Sequence, residues 1–283
     1  MSLLRHIQAC NTYRPERFLP LFLGEERLGL VRRDNAEVLR RFPRVIETGP
    51  DSLHILPHKD GAAITAALDE VVEVLVAEGR IAKWRDELFA ITPRWGEAPL
   101  FTLDRGAVSF FGVRAYGVHM NGYRRLRDRI WLWIGRRNPA KVVAPGKLDN
   151  VVAGGVGGGL GALQTLVKEA GEEASIPAML IAKAHAASAV TYKMEVPQGL
   201  RDDVLFVYDL EVPDDFEPRN TDDEIVEFML MEAREALARV RDTDDFKFNV
   251  SLILIDFALR HGLVTAEDPD YLALVAGLRA GGG

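Results

Sequence analysis

Three glutamates, Glu169, Glu172 and Glu173, follow a run in which six of the eight residues 154–161 are glycine. At 3.6 residues per helical turn the three carboxylates fall within an arc of roughly 100°. Clustered carboxylate oxygens are the hard donors that Mg²⁺ or Mn²⁺ take. Glycine lets backbone approach a ligand closely, so a loop of this kind feeding this helix reads as a site for divalent metal and phosphate. Stability alone would not choose the arrangement. Like charges three or four residues apart cost about 0.2–0.5 kcal/mol per pair, and these acids sit in the last turns, where the helix dipole disfavours them. A bound cation removes both objections. The competing reading is a solvated acidic face that binds nothing; the glycine run ahead of the helix weighs against it.

The helix itself is expected to pack through Leu163, Leu166, Val167, Ala170 and Ala174, with the acids on the other side, and to stop at Pro177. Upstream, residues 1 to about 110 read as a small mixed α/β unit. Two apolar runs, 18–23 and 28–31, flank Gly24-Glu25-Glu26 as a hairpin. Asp34 is placed to cap a helix running to Phe42, and Asp60 a second helix with Ile64, Leu68, Val71, Val72 and Leu75 on one face and Gly79 at its end. Short strands are expected at 53–56 and 100–103. His54 and His58 flank Pro57 in an extended segment and read as ordinary packing or surface residues.

Residues 111–122 and 130–135 read as paired strands with a turn over 124–129. His119 and Asn121 alternate with apolar neighbours and could face a cleft. After Pro177, residues 178–189 read as at least partly helical, followed by strands at 190–196 and 204–212 and helices at 234–240 and 249–260. The second strand is apolar on both sides and is expected to be buried on both faces.

From Gly154 the chain resembles the signature of the Nudix hydrolases: Gly, five residues, Glu, seven residues, Arg-Glu, an apolar residue, any residue, Glu-Glu, any residue, Gly, an apolar residue. Gly154 matches the first Gly, Lys168-Glu169-Ala170 the Arg-Glu triplet, Glu172-Glu173 the acidic pair and Ser175-Ile176 the last two places. Leu160 replaces the first Glu, Lys168 the Arg and Ser175 the second Gly. Lysine cannot copy the forked hydrogen bonding of arginine, which leaves the helix orientation less secure. The stretches Trp84-Arg85-Asp86-Glu87-Leu88, residues 116–123, Lys147-Leu148-Asp149-Asn150 and residues 256–262 resemble one Nudix group. It is related to the domain fused to thiamine pyrophosphokinase in fungi and has an extra N-terminal region.

The resemblance implies an α/β (α+β) fold, a mixed sheet between helices. Residues 1–110 would form a smaller N-terminal α/β domain that aids substrate recognition, and residues 111–283 the hydrolase domain. It implies hydrolysis of a diphosphate linked to an organic group, with thiamine diphosphate or its damaged forms as the expected substrate and nucleoside diphosphate derivatives open. Mg²⁺ or Mn²⁺ would be held by Glu169, Glu172, Glu173 and the carbonyl of Gly154. It marks residues 224–228 as the strand after an acidic loop, where Glu224 or Glu227 would supply a further ligand or the base; Glu172 and Glu173 are the other candidate bases. Lys147, Trp84, Arg85, Tyr116, His119 and Asn121 are the candidate substrate contacts, with Tyr123 a further candidate for stacking.

Composition sets the limits. The 283 residues carry 48% hydrophobic and 27% charged side chains with a net charge of −7. The acidic balance argues against a nucleic-acid partner. No apolar run approaches membrane-spanning length, and the first residues lack the apolar core of a signal peptide. One cysteine, Cys10, rules out an internal disulfide and fits a reducing cytosol, the expected compartment. The expected partner is a small diphosphate, with a homodimer left open. Two rivals stand beside the hydrolase: a non-catalytic diphosphate-binding module, and a dinucleotide-binding oxidoreductase, since residues 157–162 fit a loose G-x-G-x-x-A. The second expects an acid about 20 residues on, and residues 174–194 contain none.

Overall fold

A computed structural model describes residues 1–82, 87–141, 143–221 and 223–282. The chain opens with a short helix, α1 (Leu4–Cys10), then enters a unit built on a four-stranded sheet. Strands β1 (Phe18–Leu23) and β2 (Glu26–Arg32) form the expected hairpin, followed by α2 (Arg33–Leu39), β3 (Ile46–Thr48) and β4 (Leu53–Ile55), giving the order β2-β1-β4-β3. Helix α3 (Gly61–Ala77) starts where Asp60 accepts a hydrogen bond from the Ala63 amide at 2.9 Å, and it buries the predicted stripe from Ile64 to Leu75. Asp34 does not cap its helix. It lies in the first turn, accepting from Arg32 and the Asn35 amide, and the helix ends at Leu39. A two-stranded ribbon, β5 (Leu88–Ile91) with β6 (Phe101–Asp104), and α4 (Val108–Phe111) complete the unit.

Gly112 turns the chain out of it. Its φ of +58° is left-handed, and a side chain there would strike the backbone of Leu30. The chain then builds a seven-stranded mixed sheet. Its strands are β7 (Arg114–Leu126), β8 (Arg129–Arg137), β9 (Leu148–Asn150), β10 (Val152–Gly155), β11 (His185–Val196), β12 (Gly199–Glu211) and β13 (Ile225–Glu232). The main order is β11-β12-β7-β8-β13, with β10 on β7 and β9 on β8; only β12 and β7 run parallel. Helices α5 (Ala162–Ala174) and α6 (Ala178–Ile181) share one core with the sheet through Leu166, Ala170, Val118 and Val152. Helices α7 (Ala233–Asp242), α8 (Phe248–Arg260) and α9 (Tyr271–Gly277) share a second with Leu132, Ile134 and Val207. The sheet is therefore sandwiched between helices, as the resemblance implied.

Three readings need correction. The hairpin turn is confined to 127–128, with Arg127 at φ +56°, because both strands continue to the end of their ladder. The run 178–189 is helical over Ala178–Ile181 as expected in part, but residues 185–189 are strand: they pair with β12 from His185↔Asp209 onward, and the ladder overrides the helical preference of an alanine-rich run. The dinucleotide reading fails on topology, because β10, which leads into the glycines, is antiparallel to β7 and no parallel strand–helix–strand unit follows.

Helix α1 packs away from the unit that follows it in sequence. Leu3, Ile7 and Cys10 join the core of α7, α8 and α9, and Arg5 donates to the Val240 carbonyl and to Asp244.

Candidate active site

Strand β10 and helix α5 meet at Gly154. A Cβ built on Gly154 would lie 2.5 Å from Glu169 Cδ and 3.0 Å from its Oε1, so the glutamate stem rests directly on bare backbone. The next turn places Glu173 inward: it is 6% exposed, and its Oε2 accepts from the Ala153 amide at 2.9 Å. The expected division of α5 into acidic and apolar sides therefore breaks down. Leu163 and Val167 are exposed, while Glu173 lies among the buried residues with Thr165, Leu166, Ala170 and Ala174. Burial pushes the Glu173 carboxyl well above the usual range, with the charges of Asp149, Glu169 and Glu224 adding to the push. Glu169 is raised too, first by burial, with Lys168 opposing.

Glu172 points outward, its side chain half exposed, and takes the Lys168 ammonium at 2.6 Å; the same ammonium is 3.1 Å from Glu169. Among the described residues, no three acidic, imidazole or thiolate groups converge closely enough to hold a metal ion. The donor chemistry still fits a hard divalent cation. Every side-chain donor is a carboxylate, the buried one is crowded by three other acids, and a monovalent ammonium already bridges two of them.

The remaining candidates divide. Glu224 belongs with this cluster: it pairs with Arg137 at 2.7 Å and Lys141 at 2.6 Å. Burial acts to raise its carboxyl, but those two cations outweigh it and hold it below its ordinary value. Glu227 does not. It pairs with Arg136 at 3.1 Å, across the β13–β8 ladder, and lines a different cavity beside Trp133 and Phe228. Lys147 donates to the Asp244 carbonyl at 2.5 Å and faces a third cavity near Arg239. Tyr123 packs its ring on Phe257 and His261, in the core beneath the sheet. Trp84 and Arg85 lie outside the described residues.

A cavity of about 190 Å³ opens beside β10. The sheet contributes Tyr116, Gly117, His119 and residues 153–155, and the N-terminal unit contributes Phe89, Arg105, Val108 and Ser109. The two sides are tied together: the Gly158 amide donates to the Leu88 carbonyl at 2.6 Å, and a side chain at Gly155 would strike Phe89. Tyr116 packs under Trp95, with ring centroids 4.7 Å apart, and Phe206 completes the aromatic group. Arg137 and Lys247 enter the cavity from the other side, both bound to the buried Asp149, at 2.9 and 3.2 Å.

His119 is buried, and its Nδ1 is 2.9 Å from Asn150 Oδ1. Burial, then the charges of Lys247 and Arg137, hold its pKa down at about 4, so the ring is neutral at physiological pH. Asn150 donates to Asn121, which donates to Asp209, each at 2.9 Å. Burial acts to raise Asp209, but hydrogen bonds from His261, Arg260 and Asn121 outweigh it and bring it to about 2. A folded-state pKa below the unfolded one, about 3.9, adds stability that is present above pH 4 and lost as pH falls through about 2. Acid denaturation followed between pH 5 and 2 should accordingly show a steeper loss for wild type than for Asp209→Asn; parallel curves would contradict the assignment.

Several residues here escaped the sequence reading. Arg137, Asn150, Asp209 and Lys247 give no spacing signal. The available hint was a polar residue inside an apolar strand, as with Asp209 in VLFVYDL, or a lysine between two phenylalanines, as with Lys247.

Residues 2–115 match a family described as a domain of unknown function, DUF4743. The whole chain is similar to two Arabidopsis thaliana proteins. It is 36% identical to Nudix hydrolase 24, chloroplastic, covering 98% of this chain and 78% of the relative. It is 36% identical to Nudix hydrolase 20, chloroplastic, covering 96% and 76%. Among solved structures, a C. elegans Ap4A hydrolase complex is similar at 17% identity over 53% of this chain and 99% of that one, with a TM-score of 0.40. A Deinococcus radiodurans protein is similar at 20% identity over 60% and 97%, with a TM-score of 0.43. The chain belongs to the Nudix hydrolases. It is an enzyme of that class, a diphosphate hydrolase, so the non-catalytic reading falls away. The names of both Arabidopsis relatives also overturn the cytosolic expectation. Cys10 never carried that information: it is a lone buried thiol, pushed up to about 12 chiefly by burial, and inert in any compartment.

Proposed function

We propose that this enzyme is a Mg²⁺- or Mn²⁺-dependent hydrolase that cleaves a diphosphate attached to a ring-bearing organic group, with thiamine diphosphate or its oxidised forms as the substrate class. The observation that supports it is the seating of Glu169 on Gly154 and Glu173 on the Ala153 amide, beside a cavity that also holds Arg137 and Lys247. Glu169, Glu172, Glu173 and the Gly154 carbonyl are the groups that would hold the metal. Bound there, the metal would neutralise charge on the phosphate oxygens and lower the pKa of a water.

The chain's own residues do the rest. Lys168 keeps Glu172 turned outward until a stronger cation competes for it. Glu173, buried and crowded by three acids, is the carboxylate whose repulsion a bound metal would relieve most. Glu224 is held ionised by its two cations, and Arg105, paired with Glu87 at 2.7 Å, lines the N-terminal side of the cavity. Residues 1–110 would act in substrate recognition through Phe89, Arg105 and Ser109, with Trp95 and Tyr116 as an aromatic surface for the organic ring.

A cation that relieves the repulsion around Glu173 binds the folded state alone and stabilises it by linkage. Millimolar Mg²⁺ should raise the melting temperature by several degrees, and Glu173→Gln should remove the effect; an unchanged melting curve would count against a metal site. The function is tested by phosphate and monophosphate release with Mg²⁺ and with chelator. The panel comprises thiamine diphosphate, its oxidised analogues, ADP-ribose and nucleotide sugars, with Glu172→Gln as control. Metal-dependent release that the variant loses supports the reading, and the preferred compound assigns the substrate. No release from any compound overturns it.

A further inference from the structure

Helix α8 begins at the wall of the cavity with no side chain to cap it. The first backbone N–H groups of a helix have no intrahelical acceptor. Here Lys247 holds the N-cap place, and a lysine side chain has no acceptor to offer them. The Val250 and Ser251 amides turn back to the Lys247 carbonyl. Among the described residues the Phe248 and Asn249 amides find no acceptor. Asn249 adds an independent observation. It is 5% exposed, it lines the cavity, and its side chain makes no hydrogen bond among the described residues. Burying an amide without a partner costs stability, so an asparagine where a leucine of similar shape would pack points to a ligand.

Arg201 lines the same wall. Its guanidinium lies over the Phe248 ring at 5.4 Å and meets Asp203 only at 3.7 Å, with 32% of the side chain accessible. Lys247 enters beside it, paired with Asp149 at 3.2 Å. The carboxylates nearby are already matched. Asp203 accepts from the Tyr192 hydroxyl, Asp149 from Arg137 and Lys247, and Glu224 pairs with Arg137 and Lys141. What stays open is a set of donors at a helix start, which fits an oxyanion. The pocket is joined to the acidic helix. One cavity takes in residues 153–155 and Asn249, and Gly117 and Gly155, which face each other across the β7–β10 ladder, present no side chain to block it. Asp149, which holds Lys247, also acts on the Glu173 carboxyl.

We propose that the start of α8, with Arg201, Lys247 and Asn249, is a phosphate pocket that takes the terminal phosphoryl group of the diphosphate substrate. The inference rests on the diphosphate-hydrolase reading of the same cavity. It leaves the organic ring where that reading puts it, because the terminal phosphate is the end of the substrate farthest from the ring.

The pocket is tested first without turnover. With chelator present, millimolar inorganic phosphate should raise the wild-type melting temperature by a few degrees over chloride of equal ionic strength. Asn249→Leu should melt at or above wild type in chloride, because it removes an unpaired amide, and should lose the phosphate effect. A marked loss of stability in chloride would make Asn249 a structural residue, and an equal phosphate effect in both proteins would put the anion elsewhere; either overturns the pocket. Arg201→Lys keeps the charge but loses the fork, so it should also weaken the phosphate effect; it carries the same test if the leucine variant does not fold. The assignment to substrate is tested by kinetics with Mg²⁺ on the compound that the enzyme turns over best. Inorganic phosphate should inhibit competitively. Asn249→Leu should raise KM by about tenfold, more than it lowers kcat, the scale of a hydrogen bond to a charged group. An unchanged KM overturns the assignment and leaves the hydrolase intact. Absence of turnover with every compound, with phosphate still bound, overturns the hydrolase reading and the assignment together.

Discussion

Replacing Gly154 by alanine should reduce metal-dependent hydrolysis at least about a hundredfold while leaving the fold in place. The added Cβ would overlap the Glu169 side chain, 2.5 Å from its Cδ, and the glutamate must swing off the strand. Displacing a catalytic group by about 1 Å costs on the order of a hundredfold in rate. The clash is with a movable side chain on the rim of the site, so the melting temperature should shift by only a few degrees. The control lies in the pair: on a Glu169→Ala background the same glycine substitution should change little further, because both act on one carboxylate. Full activity in Gly154→Ala would mean that Glu169 is not needed where it rests.

Asp209→Ala should be among the most damaging single changes to stability. The carboxylate accepts from Asn121, Arg260 and His261 within the core, and Arg260 also spans to Asp256 at 2.7 Å. Its removal leaves Asn121 and His261 without their acceptor and Arg260 with Asp256 alone, and losing one partner of a buried charge pair costs about 3–5 kcal/mol. For a domain of this size that lowers the melting temperature by on the order of 10 °C. Asp209→Asn should cost less, since it keeps the shape. A loss for the alanine variant no larger than a surface substitution, about 0.5 kcal/mol, would show that Arg260 finds other partners.

How much of this was legible beforehand depended on the kind of signal. Helix α3 was readable to the residue, because an Asp cap, a 3.6-residue stripe and a terminal glycine all agree. The acidic helix was readable as a helix. The inward turn of Glu173 was not, because burying a carboxylate runs against every local preference and is decided by the Ala153 amide, a partner 20 residues away. The failure at 185–189 has the same origin: strand pairing with β12 is non-local. The split among Glu224, Glu227 and Lys147 reflects the pleat and the loops. Glu224 sits just before β13 and turns to Arg137, while Glu227 sits within the strand opposite Arg136. Spacing along the sequence could not choose between them.

The placement of α1 has a consequence for how the protein is made. Its partners are α7, α8 and α9, so Ile7 packs on Gly277 and Arg5 on Val240 and Asp244. Translation adds about 5–20 residues per second, so α1 leaves the ribosome roughly tens of seconds before the surface it covers exists. The four-stranded sheet unit has its own core and can close during that interval. The seven-stranded sheet must wait, with the apolar side of α1 uncovered, until the last helix emerges. Vectorial synthesis therefore makes the first helix one of the last to dock.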